Sequence, residues 1–347
     1  METKTKYSIS QIAEICGVSK ATVSRVINNS PCGVGEATKE RVRKVIEELN
    51  YRPNALARGV AVSRSRMIGV IVPDVSNFFY PKIIRGISDY LEKKDYSVIV
   101  CNSDYNPEKE AGLLMSLVDK RVDGVILCSG ISNKAFLEQY RKYQVPLVLL
   151  GRTFDSSVSD ASITGDNVKG SRKAASYLLR GGNRRIVYVE GNTELSGSKQ
   201  RLQGYKEALR EHGIEFDRKL TLSGEYSIEF GRRAAEELLE KKVEFDAIMT
   251  GSDLIAIGVI SGLLDAGKKI PEEIEVMGFD NIELAEVFRP ALSTVSKPHY
   301  EMAQHLAKQM IRIIEGEEVG LSHMVVEPTL KLRKTTKARD YDAEYEK

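Results

Sequence analysis

Ser19, Lys20, Ala21, Thr22, Ser24, Arg25 and Asn28 share a short segment in which Val23, Val26 and Ile27 recur on the other face. This pattern offers recognition chemistry to a nucleic acid. Lys20, Ala21 and Arg25 are expected to read base edges. Arg25 can donate a bidentate pair to guanine O6 and N7, about 1–3 kcal/mol of discrimination, while Ala21 offers only apolar contact, for example to a thymine methyl. Ser19, Thr22, Ser24 and Asn28 suit phosphate oxygens, which fix register without reading sequence. A second group lies in Val72-Pro-Asp-Val-Ser-Asn-Phe-Phe-Tyr80, where Asn77, Phe79 and Tyr80 combine one amide with two rings. Such a set holds sugars, the rings stacking on C–H faces and the amide bonding hydroxyls. An aromatic plug in the core is the equally open alternative.

The first group needs a helix-turn-helix to present it. Ser8 and Gln11 have capping-box spacing, each side chain satisfying an orphan N–H at a helix start. Ile12, Ala13 and Ile15 give that helix an apolar side. Gly17 stands where a chain leaving a helix needs positive φ, and Val18 can pack into the turn. Ser19 is placed to N-cap the second helix, whose N-terminal polar residues would enter a major groove. Residues 8–28 alone also fit a helical hairpin inside an ordinary core. The following residues favour the DNA-binding reading: a third amphipathic helix over Gly35–Leu49, striped by Val42, Val45, Ile46 and Leu49, then a short Pro-started helix within Asn50–Val60.

Charge agrees with this assignment. Residues 1–64 hold 11 Lys/Arg against 6 Asp/Glu, which leaves 40 against 43 for the rest. A basic terminal module on a near-neutral body is the electrostatic footprint of a nucleic-acid binder. The total of 347 residues suggests two or three domains. The four cysteines (Cys16, Cys32, Cys101, Cys128) show no metal spacing, and Cys101 and Cys128 lie in apolar runs as expected of inert core thiols. With no apolar signal core and no run of membrane-spanning length, a cytoplasmic protein without membrane association is expected. Enzyme chemistry finds no foothold: GxSxG, HExxH and P-loop motifs are missing, and the 4 histidines show no triad or metal spacing. No catalytic residue, metal or cofactor is expected.

Beyond a polar, basic linker at Ala61–Arg66, strand-like and helix-like stretches alternate. Strands are expected at Met67–Val72, Tyr96–Cys101, Gly124–Cys128 and Pro146–Leu150, with helices at Pro81–Lys93, Glu108–Lys120 and Lys134–Lys142. The alternation restarts with Lys169–Arg180 and runs to the strand Glu275–Phe279. Two successive blocks of this kind imply two similar lobes, each a parallel sheet covered by helices, with a cleft between them. The stretch around Asn77 leaves a strand and enters a helix, where open α/β sheets bind ligands.

The phrases Val18-Ser19, Ala21-Thr-Val-Ser-Arg-Val-Ile-Asn28 and Asn50-Tyr-Arg-Pro-Asn54 resemble the headpiece of the lactose-repressor/galactose-repressor (LacI/GalR) family of bacterial transcription regulators. The resemblance extends over nearly the whole chain. It implies an α/β core of two Rossmann-like subdomains, periplasmic-binding-protein-like, behind an all-α helix-turn-helix headpiece. The expected domains are 1–64, including a hinge helix near 53–60; 65–161 with 293–322; and 162–292 with 323–340. Crossings between lobes are expected near Ala161–Thr164, Leu292–Val295 and Met324–Val326. Tyr51, Asn54, Ala57, Arg58 and Val60 join the DNA-binding set, with Val60 as the minor-groove wedge where the family usually has leucine. Two symmetric headpieces would require double-stranded DNA with a pseudo-palindromic operator. The charged tail from Lys331 has no leucine heptads, which favours a homodimer over a tetramer.

The resemblance also implies effector contacts at Arg201, Asp280 and Lys297, with Ser252 nearer the ligand and Asp253 as a helix N-cap. Gly151 stands where many members place an acidic sugar ligand, with Arg152 beside it, and Lys297 stands where others often have glutamine. If Arg152, Arg201 and Lys297 share the cleft, three cations meet one Asp280, and an anionic sugar is favoured over a neutral one. The expected function is thus repression of carbohydrate-utilisation genes under control of a small sugar-type effector. The alternatives are a catabolite-control regulator, whose co-repressor is a phosphorylated phosphocarrier protein, and a sugar carrier without DNA binding. Val-Pro-Asp-Val-Ser-Asn-x-Phe-Tyr favours the catabolite-control regulator, whereas Ser293–Met302 departs from its pattern.

Overall fold

The computed structural model describes residues 7–27, 33–49, 51, 64–128, 134–152, 158–319 and 323–346. The chain divides into two compact units, Met1–Ser65 and Arg66–Lys347.

In the first unit, α1 (Ile9–Ile15), α2 (Lys20–Ile27) and α3 (Glu36–Glu48) enclose a small core. The capping box forms as expected, Ser8 and Gln11 each accepting from the other's backbone N–H. Gly17 has φ +60°, the left-handed conformation that costs a side chain least when it is glycine. Ile12, Val23 and Val42, one from each helix, are fully buried. Ile15 is a correction: it is 54% exposed, because the buried stripe runs through Ile12, Ala13 and Cys16. Residue 15 sits about 100° around the helix from residue 16 and so falls off that stripe.

The second unit starts with β1 (Met67–Val72), α4 (Tyr80–Glu92), β2 (Ser97–Asn102), α5 (Pro107–Asp119), β3 (Gly124–Cys128), α6 (Lys134–Tyr140), β4 (Leu147–Leu150) and β5 (Ala161–Gly165). It continues with α7 (Asn167–Arg180), β6 (Ile186–Glu190), α8 (Ser196–Glu211), β7 (Thr221–Ser223), α9 (Ile228–Glu240), β8 (Ala247–Thr250) and α10 (Asp253–Asp265). It closes with β9 (Glu275–Asp280), α11 (Leu284–Val287), β10 (Ser293–Ser296), α12 (His299–Glu315), β11 (His323–Val326), β12 (Thr329–Lys331) and α13 (Asp342–Tyr345). Two six-stranded sheets result, ordered β11-β5-β4-β3-β1-β2 and β12-β10-β9-β8-β6-β7. The two orders are the same doubly wound arrangement, and among the described strands only β12 runs antiparallel to its neighbour. Continuous apolar runs such as Met67–Val72 became interior strands because helices cover both faces.

The crossings fall a few residues later than expected. Ser162–Gly165 and Met324–Val326 belong to the first sheet, where β5 pairs with both β4 and β11 in parallel register. Ser293–Ser296 belongs to the second sheet, paired with β9 and β12. The segments taken as crossings are themselves full strands. The chain changes lobe only where pairing stops, at Asp166, which caps α7 through the Lys169 N–H, and at Lys297-Pro298 and Glu327-Pro328. Proline lacks the N–H that a ladder needs and ends the strand there. Helix α12 then returns to the first lobe, where Met302, Ala303, Leu306 and Met310 join Ile83 and Ile87 of α4 in one core.

Candidate functional site

The exposed side of α2 starts at its cap. Ser19 Oγ accepts from the Thr22 N–H at 3.1 Å and lies 2.9 Å from Thr22 Oγ1, so these two hydroxyls hold the helix start together. Lys20, Ala21 and Arg25 are exposed and Ser24 is half-buried, while Val23 and Val26 turn inward. The three residues expected to read base edges thus share a solvent face, with two positive charges on it. Tyr51 packs against the core of this unit, its N–H donating to Ile46 O at 2.9 Å. Asn28, Asn54, Ala57, Arg58 and Val60 lie outside the described residues.

In the second unit all eight residues proposed as effector contacts line one cleft between the lobes: Asn77, Phe79, Tyr80, Arg152, Arg201, Ser252, Asp280 and Lys297. They come from the C-terminal ends of four strands (β1, β4, β8 and β9), from the start of α8 and from the crossing after β10. Asp280 ends β9 with φ +107°, a left-handed conformation costing on the order of 1–3 kcal/mol for a non-glycine residue. Its surroundings hold it there. His299 Nε2 lies 3.1 Å from Asp280 O, and the next residue, Asn281, is bound by Ser296 Oγ at 3.0 Å and by Arg333 at 2.9 Å.

The centre of the cleft is a cation pair on a single carboxylate. Arg201 Nη2 donates to Asp280 Oδ1 at 3.2 Å, and Lys297 Nζ lies 3.6 Å from the same oxygen. Arg201 also donates to Gly251 O, and its guanidinium stacks 3.9 Å above the Phe279 ring. Arg201, Asp280 and Lys297 are each more than nine-tenths buried. Burial lowers the Lys297 ammonium to about 8, the nearby Asp280 charge opposing that shift. Burial, helped by the Lys297 charge, brings His299 down to about 3 and keeps its ring neutral. Arg152, on the opposite wall, is also lowered by burial, with the charge of buried Glu110 counteracting it.

The aromatic residues divide between roles. Tyr80 is a core residue of the first lobe, whereas Phe79 packs against the cores of both lobes and meets the His299 ring edge-on at 4.7 Å. Asn77 Oδ1 is partly used by the Phe79 N–H at 3.0 Å. Asp253 is a further correction. It is fully buried, accepting from Thr294 Oγ1 at 2.5 Å and from the Ile282 N–H at 2.8 Å, and burial raises its carboxyl to about 8. Ser252 is the N-cap of α10 instead, through the Ile255 N–H. The serine precedes the first helical residue and can adopt the extended backbone a cap requires.

Sequence reasoning missed Tyr105 and Tyr226, which stack 6.4 Å apart across the cleft, one from each lobe. Tyr226 also meets Ser198 Oγ at 2.8 Å. It missed Asn167 and His299 as well. A signal was available for all four, since Tyr105, Asn167, Tyr226 and His299 come within three residues of strand C-termini, where doubly wound sheets place ligands.

Residues 65–333 match the family of periplasmic binding proteins and sugar binding domain of LacI family, and residues 8–54 match bacterial regulatory proteins, lacI family. Catabolite control protein A of Priestia megaterium is 36% identical over 331 residues, covering 95% of this chain and 99% of its own. A solved complex of the transcriptional regulator CelR with cellobiose has a TM-score of 0.71 and 29% identity, covering 95% of this chain and 99% of that one. A lac repressor dimer bound to operator has a TM-score of 0.85, covering 96% of this chain and 100% of that one; at 24% identity it supports the fold alone.

Proposed function

The chain belongs to the lacI family of bacterial regulatory proteins, and from that premise we propose a homodimeric repressor of carbohydrate-utilisation genes. Its hold on a pseudo-palindromic operator is set by a small sugar-type ligand in the interlobe cleft. The observation that carries this reading is the joint presence of both parts: an exposed Lys20-Ala21-Arg25 face on a capped helix, and a cleft on which the eight effector candidates converge. The protein acts in the cytoplasm and performs no catalysis. Closing or opening the cleft would change how the two headpieces are presented to DNA, a coupling typically of about 5–150-fold in affinity.

Sites selected from random duplex DNA by the full-length chain test the proposal. Two inverted half-sites are expected, and a sugar that stabilises the protein should shift affinity for them. Selected sites without twofold symmetry, or an affinity indifferent to every stabilising sugar, would sink it. On such a site Arg25→Ala should weaken binding by about 1–3 kcal/mol and relax preference at one base pair. Lys20→Ala should relax preference at a different base pair and, by removing one cation from the interface, lower the salt slope by about one. Anisotropy titrations at several salt concentrations separate the two effects.

The catabolite-control reading draws support from the 36% identity to catabolite control protein A across nearly the full length. It predicts that a phosphorylated phosphocarrier protein, and no sugar alone, tightens operator binding in the same titrations.

A further inference from the structure

Among the described residues, Lys297 shares its acceptors with Arg201, which lies as near to one of them and nearer to the other. Asn167 Oδ1 receives Lys297 Nζ at 3.4 Å and Arg201 Nε at 3.4 Å. Asp280 Oδ1 lies 3.6 Å from Lys297 Nζ and 3.2 Å from Arg201 Nη2. Even the Phe279 ring is closer to the guanidinium, at 3.9 Å, than to the ammonium, at 4.8 Å. An ammonium carries three donors and no acceptor, and a buried charge is costly unless paired and hydrogen-bonded. Here two buried cations face one carboxylate, and the arginine occupies it at hydrogen-bonding distance.

The fold nevertheless makes room for the lysine. A Cβ on Gly165, at the end of β5, would stand 2.1 Å from Lys297 Cδ. The side chain therefore runs from the second-lobe crossing over a gap in the first lobe, into the space that a ligand would occupy. Of the described charged residues lining that space, Arg152 has the buried Glu110 charge near it, and Arg201 and Lys297 face Asp280. Ser196, Gly197 and Ser198 open onto it from the start of the 16-residue helix α8, whose N-cap, Leu195, supplies no side-chain acceptor. The orphan N–H groups there add positive character.

We infer that the cleft takes an anionic sugar, one bearing a carboxylate or a phosphate, and that Lys297 is the residue that selects it. This inference rests on the sugar-controlled repressor proposed above and names the class of its ligand. The anion completes the shell of Lys297 and balances the surplus cation. The hydroxyls of the same ligand meet Asp280, Asn77 and Ser252, which a neutral sugar would also find. Discrimination between acid and neutral parent therefore falls on Lys297, with Arg201 retained by its protein partners.

Isothermal titration of the full-length chain tests this with matched probes: D-glucose, D-galactose and D-ribose against D-glucuronate, D-galacturonate, glucose 6-phosphate and ribose 5-phosphate, with inorganic phosphate as a control. One acid or phosphate should bind about tenfold or more tightly than its neutral parent, the scale of one charge-assisted hydrogen bond. Lys297→Gln should erase that preference, bringing the ratio of acid affinity to parent affinity to within about threefold of one. Uronates and sugar phosphates form separate arms and identify which anion is used. A neutral sugar that binds as tightly as its acid overturns the inference and leaves the repressor intact. A preference that survives Lys297→Gln, or inorganic phosphate binding as well as the sugar anion, also overturns it. A chain that binds its operator and none of these probes fails the sugar-controlled reading itself.

Discussion

Asp280→Asn is expected to destabilise the unit Arg66–Lys347 by about 3–5 kcal/mol, the cost of removing one partner from a buried ion pair. Both cations lose their carboxylate at once, since Arg201 and Lys297 meet the same Oδ1. The substitution keeps the side chain's volume, so the loss reports charge rather than a cavity. Adding Lys297→Gln should restore about 1–3 kcal/mol, because the least compensated charge then disappears and Arg201 keeps Gly251 O and Asn167. Urea unfolding of the single and double variants, followed at this unit, measures the cycle. Additive effects of the two substitutions would refute the shared-carboxylate account.

The same pair sets a pH signature. Lys297 has an ordinary value of 10.5 and is lowered to about 8 in the fold. Between these values the unfolded chain binds the proton and the folded chain does not, so stability from this group rises with pH from about 8 to 10.5. Below about 8 the folded protein bears the full cost of the charge. Lys297→Gln should flatten the rise, and a protein whose stability between pH 8 and 10 is unchanged by that substitution would contradict it.

Much of this architecture is legible without coordinates because local signals coincide. Ser8/Gln11, Gly17 and Ser19 each specify one turn of backbone, and they all specify the same helix-turn-helix. The strands Met67–Val72 and Gly124–Cys128 appear at their expected bounds because apolar runs of that length, covered on both faces, admit little else. What stayed hidden depends on distant partners. Asp253 looks like a cap from its neighbours, but Thr294 and Ile282, far along the chain, turn it inward. The stacking of Tyr105 on Tyr226 and the shared acceptors of Lys297 require the two lobes to be placed together, which periodicity does not encode. Gly165 reads as an ordinary strand end until Lys297 is seen lying across it.

Ile12→Ala should abolish operator binding although residue 12 touches no DNA. Ile12, Val23 and Val42 are fully buried and supply one contact from each helix of the first unit. Shortening the first leaves a cavity costing about 2–5 kcal/mol. A three-helix module of this size has roughly 3–5 kcal/mol in total, so the substitution removes most of its stability. Each 1.4 kcal/mol is about tenfold in the folded population, and recognition falls with it. The cleft draws on separate cores, in which Ile68, Val70 and Ile83 serve the first lobe and Val187, Ile248 and Val276 the second. Ligand-induced stabilisation of the second unit should therefore persist in Ile12→Ala. Arg25→Ala provides the contrast, weakening the operator complex while the helical signal of the headpiece is kept, because Arg25 is exposed and outside the core. Ile12→Ala protein that holds its operator within about threefold of wild type would show that DNA contacts, rather than this core, supply the stability of the headpiece.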